Sequence, residues 1–292
     1  MRDAVHHLRT TLRSLARQPG LTLIVILTLA LGIGASTALF GYLAFILWPQ
    51  LDAPEADRAV WVYAATPNLP RFPVSYAEYQ EIGKMGALRD LAVFANTGAT
   101  VGHGEKTTFA WVQAVNGGFF PFFGQPPALG RLLQPGDDRP GADPVVVVSH
   151  LFWKGTLGGD PGVVGKPLRI NGQTYTIVGV VREKFQAYGR ATPLYIPLAH
   201  IDDVTGLGRM NQPESRWISV LGRLNGSVSL QQAQAALDLA ASGLDQELPL
   251  SEGKRRLGLA LATSYDPEAS DENLTDAARV LMAASLLFLL LG

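Results

Sequence analysis

The segment from Leu21 to Trp48, "LTLIVILTLALGIGASTALFGYLAFILW", contains no charged residue and constrains the fold more than anything else in the chain. As a helix rising 1.5 Å per residue it is roughly 40 Å long, ample for a bilayer core of about 30 Å. Residues 21–48 therefore read as a transmembrane helix. A secretory signal peptide has an apolar region of only about 7–15 residues and a small-residue cleavage site. Here the run is about twice that long, and the following "WPQLDAPEA" makes a poor site.

The flanks set an orientation, because short positively charged segments stay on the cytoplasmic side. Arg2, Arg9, Arg13 and Arg17 precede the span, whereas Asp52, Glu55 and Asp57 follow it with only Arg58. The N-terminus is expected inside, and everything from about Pro49 outside. Residues 1–20 carry Val5, Leu8, Leu12 and Leu15 at helical spacing with arginines and histidines on the other faces, an amphipathic helix suited to the lipid surface. Gln18, Pro19 and Gly20 break it before the span. Within the span, Ala30, Gly34, Ala38 and Gly41 form a stripe of small residues that would let a second helix approach closely. A second apolar run, Val280 to Gly292, is too short to cross, so residues 277–292 read as the start of a second transmembrane helix.

Residues 49–276 are of mixed α and β character. "RAVWVYAAT" predicts a strand, and "SYAEYQEIGKM" a helix opened by Ser75 with Glu78 in capping-box position. "LAVFANTGATV" and "TTFAWVQAV" are strands joined by the turn "GHGEK". "NGGFFPFFGQPPALGRLLQPGDDRPGADP", rich in Gly, Pro and Phe, predicts a compact irregular segment whose Phe side chains pack locally. "VVVVS" is a short apolar strand and "HLFWKGTLGG" a short helix ending at glycines. "PLRINGQTYTIVGVV" is a hairpin turning at Asn171-Gly172. "TPLYIPL", bracketed by prolines, predicts an edge strand. "RWISVLGRL" is a strand, and Ser229 with Gln232 opens an amphipathic helix with Leu230, Ala233, Leu237, Ala240, Leu244 and Leu248 on one face. "RRLGLALAT" closes with a strand. The order implies an α+β domain: a sheet-and-helix subdomain from residues 49–115 and 215–265, with a β-rich subdomain, 116–214, inserted in it.

Several chemistries lack their residues. There is no cysteine, hence no thiolate metal site, disulfide or thiol nucleophile, and a net charge of -1 gives no footprint for nucleic acid. His6, His7, His103, His150 and His200 have no metal-binding spacing. Ser149-His150 lacks a G-x-S-x-G elbow, so Ser149 reads as a helix N-cap. Asp137-Asp138 and Asp202-Asp203 lie in loops and read as solvated turn carboxylates. "GGDPGVVGKP" is no phosphate loop, since Asp160 stands where the first glycine belongs and Pro167 where the hydroxyl residue belongs.

Three stretches carry a resemblance: "RQPGLTLIVILTLALGIGASTALFGYL", "FGQPPALGRLLQPGDDRPGADPVVVVSHLFWKGTLGGDPGVVGKPLRINGQTYTIVGVV" and "GRLNGSVSLQQAQAAL". In order and spacing the chain resembles MacB-like, or FtsX-like, permease subunits of ABC transporters, whose periplasmic core domain lies between the first two transmembrane helices. Asp160, Pro161, Gly165, Asn171 and Gly172 read as its fold signature: turn starter, permissive glycines and hairpin register. The resemblance implies a subunit of the inner membrane without catalytic, cofactor or metal residues, moved by ATP hydrolysis in a separate cytoplasmic ATPase, for export or for lipid and lipoprotein release. It implies membrane lipid and that ATPase as partners, and allows a homodimer or related permease and a periplasmic adaptor. Family permeases continue through further helices, so the expectation is a fragment or a truncated product ending inside the second. The alternative reading is a non-transporting, membrane-anchored module that binds a periplasmic partner.

Overall fold

The computed structural model describes residues 19–47, 51–65, 71–103, 106–185, 187, 192–250, 253–262 and 280. The amphipathic helix expected over residues 1–20 falls mostly outside them, as does nearly all of 277–292. The chain divides into two compact units, residues 1–48 with 269–292, and residues 49–268.

In the first unit, α1 runs Pro19–Leu47 as one uninterrupted helix with no acidic residue in its first turn and no basic one in its last. Pro19 fits the first helical position, where its missing N–H has no intrahelical partner in any case. The hydroxyls of Thr28 and Thr37 donate to the carbonyls of Ile24 and Ile33, each at 2.8 Å, so both polar groups are satisfied within the helix. Among residues with described side chains, no helix is long and apolar enough to cross a membrane. Crossing is thus an inference from the sequence of residues 21–48.

The second unit is built on a mixed sheet. Its strands are β1 (Ala59–Ala65), β2 (Val74–Ser75), β3 (Leu88–His103), β4 (Lys106–Val115), β5 (Pro127–Gly130), β6 (Val145–Val148), β7 (Pro167–Ile170), β8 (Gln173–Val181), β9 (Leu194–Pro197), β10 (Arg216–Leu224) and β11 (Arg256–Leu261). Its helices are α2 (Tyr76–Lys84), α3 (Phe119–Phe123), α4 (His150–Gly155), α5 (Ile201–Thr205) and α6 (Leu230–Glu247). The strand order is β11-β1-β10-β3-β4-β9-β6-β8-β5, with β2 beside β10 and β7 pairing both β3 and β8. Because β7 joins those two, hydrogen bonding runs in a closed circuit through β3, β4, β9, β6, β8 and β7. The strands of residues 116–214 thereby complete a ring whose other members are β3 and β4.

The short-range signals account for the element ends. Both capping boxes form: Glu78 N donates to Ser75 Oγ and Ser75 N to the Glu78 carboxylate, and Ser229 and Gln232 do the same. Asn171 (φ 46°) and Gly172 (φ 85°) make the left-handed turn between β7 and β8, with Ile170 opposite Gln173.

Three expectations change. β9 is an interior strand, parallel to β4 on one side and antiparallel to β6 on the other. Pro193 precedes it and Pro197 is its last residue, so the missing N–H groups fall at its ends and the amides between them remain free to pair. The buried face of α6 is Ala233, Leu237, Ala241 and Leu244; Ala240 is only half-buried, and Leu248 lies past the helix end, exposed. The segment from Asn116, expected to be irregular, contains α3 and β5.

Two apolar layers cover the sheet faces. One gathers Ile82 of α2 and Ala233, Leu237 and Ala241 of α6 against Val60, Val93, Val112, Ile218 and Val220. The other is aromatic: Phe119, Phe120, Phe122 and Phe123 of α3 are all buried. Their rings pack edge-on upon one another, with Phe119 and Phe123 centroids 5.1 Å apart, and reach Tyr195 of β9 at 5.2 Å from Phe120. The phenylalanines thus pack locally, as expected, and also bind the helix to distant strands.

Candidate functional site

The edge of the domain where the chain enters and leaves is the most organised polar region. β1 and β11 are antiparallel neighbours, Val60 opposite Leu261 and Ala65 opposite Arg256. Ala262 N donates to Ala59 O at 2.8 Å. The strand that follows the apolar helix and the strand that precedes the second apolar run therefore meet at one end of the sheet.

Before β1 the chain makes an elbow. Ala53 N donates to Leu51 O and Arg58 N to Glu55 O, both at 3.0 Å, and Ala56–Arg58 is a single 3-10 turn. Glu55 is left-handed at φ 48°. Arg223 of β10, paired with Ala59 on one side and Arg89 on the other, reaches under the elbow. Its side chain is 5% exposed. Nη1 donates to Asp90 Oδ2 at 2.8 Å, and Nη2 to Pro54 O at 2.7 Å and Phe122 O at 3.1 Å. The guanidinium carbon sits 4.4 Å from the Phe122 ring centroid, a cation–π contact that keeps the fork in place. Asp90 is also left-handed, at φ 50°, and pairs with Arg89 as well. Arg89 Nη2 donates to both Glu55 oxygens at 2.8 Å, and this bond holds the Glu55 carboxyl below its ordinary value of 4.5. Arg58 donates to Leu224 O from Nε and Nη2, both at 3.3 Å.

A second ion cluster lies at the other end of β1 and β11. Glu78, wholly buried, accepts from Ser75 N at 2.8 Å and pairs with Arg216 at 3.0 Å and Arg255 at 3.4 Å. Arg255 also donates from Nη1 to Asp245 Oδ1 at 2.7 Å. These contacts tie α2, β10, α6 and the approach to β11 together. Buried and mutually paired, they are structural, because removing one partner strands a charge.

The fold-signature residues form the spine of the region between α4 and β8. Asp160 accepts from Gly162 N at 2.9 Å and pairs with Lys166, and its carbonyl accepts from Trp153 Nε1 at 2.8 Å. Pro161 stands in that turn. Gly165, at φ 86°, donates its N–H to Ile177 O at 2.8 Å. Asn171 does more than turn the hairpin. Its Oδ1 accepts from Thr100 N at 2.7 Å and its Nδ2 donates to Val204 O at 2.8 Å, fastening the hairpin tip to β3 and α5. Gly172 supplies the second left-handed residue of the turn. In α1, Ala30, Gly34, Ala38 and Gly41 are exposed among the described residues, and a Cβ added at Gly34 or Gly41 would meet nothing within 4 Å.

The four aspartates expected in loops are engaged rather than merely solvated, and Asp202 and Asp203 stand in the first turn of α5 rather than in a loop. Asp137 accepts from Gln134 N at 2.8 Å and pairs with Arg131 at 2.7 Å, while Asp202 accepts from the amides of Arg209 and Met210. Asp203 Oδ2 lies 2.7 Å from His200 Nδ1. Asp138 accepts from Ala199 N at 2.8 Å, and burial pushes its carboxyl above the ordinary 3.8, partly offset by the amides of Ala199 and Gly117 and by His200. Asp138 alone of these joins segments distant in sequence, 61 positions apart; the other three close local turns and helix ends. Ser149 Oγ accepts from Phe152 N at 3.0 Å, the N-cap expected of it. Among the described residues, no three His, Asp or Glu side chains are grouped to hold a metal.

Comparison with known proteins follows the architecture. Residues 22–240 match the MacB-like periplasmic core domain family. No curated protein matches the chain. It is similar to the periplasmic region of MacB from Actinobacillus actinomycetemcomitans, with 16% identity and a TM-score of 0.54 over 71% of this chain and 90% of that one. It is also similar to the extracellular domain of the noncanonic ABC-type transporter YknZ from Gram-positive bacteria, with 13% identity and a TM-score of 0.50 over 69% and 99%. A domain of a permease-assigned protein from Porphyromonas gingivalis gives 18% identity and a TM-score of 0.57 over 76% and 97%. At such identities the structural likeness is one of fold.

Proposed function

The chain belongs to the MacB-like periplasmic core domain family of ABC transporter permeases, and from that premise we propose that it is the part of a permease through which motion of membrane helices reaches an extracytoplasmic domain. In this reading residues 21–48 span the membrane with the N-terminus inside, residues 49–276 stand outside, and 277–292 begin the return. ATP is bound and hydrolysed by a separate cytoplasmic ATPase. Export, or lipid and lipoprotein release, is the work that such movement would do, with a second permease copy and a periplasmic adaptor as further partners.

The observation that carries the reading is the bond from Ala262 N to Ala59 O. It makes the two strands nearest the apolar segments one hydrogen-bonded pair at the sheet edge. A relative shift of the helices would act on that pair as shear or lift, and β1 passes it to β10 through the register Ala59–Arg223 to Val62–Val220.

Because the chain has no cysteine, single cysteines can map it. With a membrane-impermeant maleimide on intact cells with a permeabilised outer membrane, Asn225→Cys is expected to label at once and Thr10→Cys only after lysis. The opposite pattern would overturn the reading. Copurification of a cytoplasmic ATPase with the protein expressed from its native locus is the second expected result.

A further inference from the structure

The elbow before β1 is built against flexibility. A connection between an anchor and a domain commonly has few fixed groups, yet residues 51–58 are gripped at three points. Arg223 takes the Pro54 carbonyl, Arg89 takes the Glu55 carboxylate with two bonds, and Arg58 reaches Leu224 O. Two of the three non-glycine residues with positive φ among those described, Glu55 and Asp90, are both partners of Arg89. Left-handed geometry at such residues persists only where the surroundings hold it. The hydrogen bonds of Arg223 join the elbow, β3 and α3 at one guanidinium, whose planar fork suits several fixed acceptors as a lysine ammonium does not.

We propose that Arg223, supported by Arg89, is a positioning residue that makes the elbow Leu51–Arg58 a rigid part of the extracytoplasmic domain, so that displacement arriving from α1 is delivered to β10 and α3 instead of being absorbed in the connection. The inference rests on the transporter reading for its purpose and on the geometry alone for the rigidity.

The test uses the full chain in detergent with a spin label on Asp57→Cys, an exposed position of the elbow, and a control label on Leu239→Cys, exposed on α6. In the otherwise unchanged chain the Asp57 label is expected to be immobilised. Arg223→Gln and Arg89→Gln should each shift it to a mobile spectrum, with at least a threefold shorter correlation time, and leave the α6 label unchanged. Arg223→Lys should not restore immobility. A merely structural role would loosen both labels together. The inference is overturned if the elbow label is mobile from the outset, or if it stays immobilised in both variants. Should Arg223→Gln fail to fold, Arg89→Gln, on a partly exposed side chain, decides alone. The measurement involves no ATPase, so failure of the transporter reading and failure of the rigid elbow are separate results.

Discussion

Replacing Asn171 separates backbone strain from side-chain bonding. Asn171→Gly keeps the turn but gives up two hydrogen bonds, each worth about 0.5–1.5 kcal/mol. Asn171→Ala adds the left-handed penalty of about 1–2 kcal/mol. In denaturant melts Ala should therefore fall below Gly, and both below the parent. Asp138 supplies a pH test. Its folded value is raised, so its stabilising contribution is complete below the unfolded value near 3.8 and is lost as the pH rises through the folded one. Lowering the pH from 7 toward 4 should accordingly move the difference in Tm between parent and Asp138→Asn in favour of the parent; an unchanged difference would remove Asp138 as a coupled group. Asn171-Gly172 was legible as a turn because a turn is local. Its grip on Thr100 and Val204 was not, nor was the cluster of Glu55, Arg89, Asp90 and Arg223, whose members lie up to 168 positions apart and read individually as ordinary surface charges.

Elements were legible wherever a local chemical signal marks an end. Ser75 with Glu78 and Ser229 with Gln232 announced α2 and α6, and Ser149 announced α4. Ser149→Ala should cost about 1 kcal/mol in thermal or denaturant unfolding, the usual worth of an N-cap. β9 was misjudged as an edge because flanking prolines say where pairing stops, not how many neighbours a strand has. β5 was missed within the Gly- and Pro-rich segment because Pro127–Gly130 is a four-residue strand, too short to show alternation. For α1 the small-residue stripe remains a proposal: Gly34→Leu is expected to weaken helix association in the membrane by on the order of 1 kcal/mol, read with a membrane-helix association reporter. Equal association of both sequences would dismiss it.

At the scale of the molecule, the strand circuit lay beyond sequence pattern, since periodicity identifies strands but not which distant strands they join. We propose that residues 116–214 are an insertion into a subdomain formed by 49–115 and 215–265, yet an insertion on which its host depends. Excising 116–214 and bridging the gap with a short linker would remove β9 and β7, stripping Val112–Val115 of β4 of their second neighbour and leaving that side of β4 an open edge. The shortened domain is expected to self-associate in sedimentation and to lose its cooperative melt. The meeting of Ala59 and Ala262 has a different consequence. With β1 and β11, the domain's first and last long strands, lying side by side, the domain is expected to tolerate transfer as a cassette into the loop of another two-helix protein.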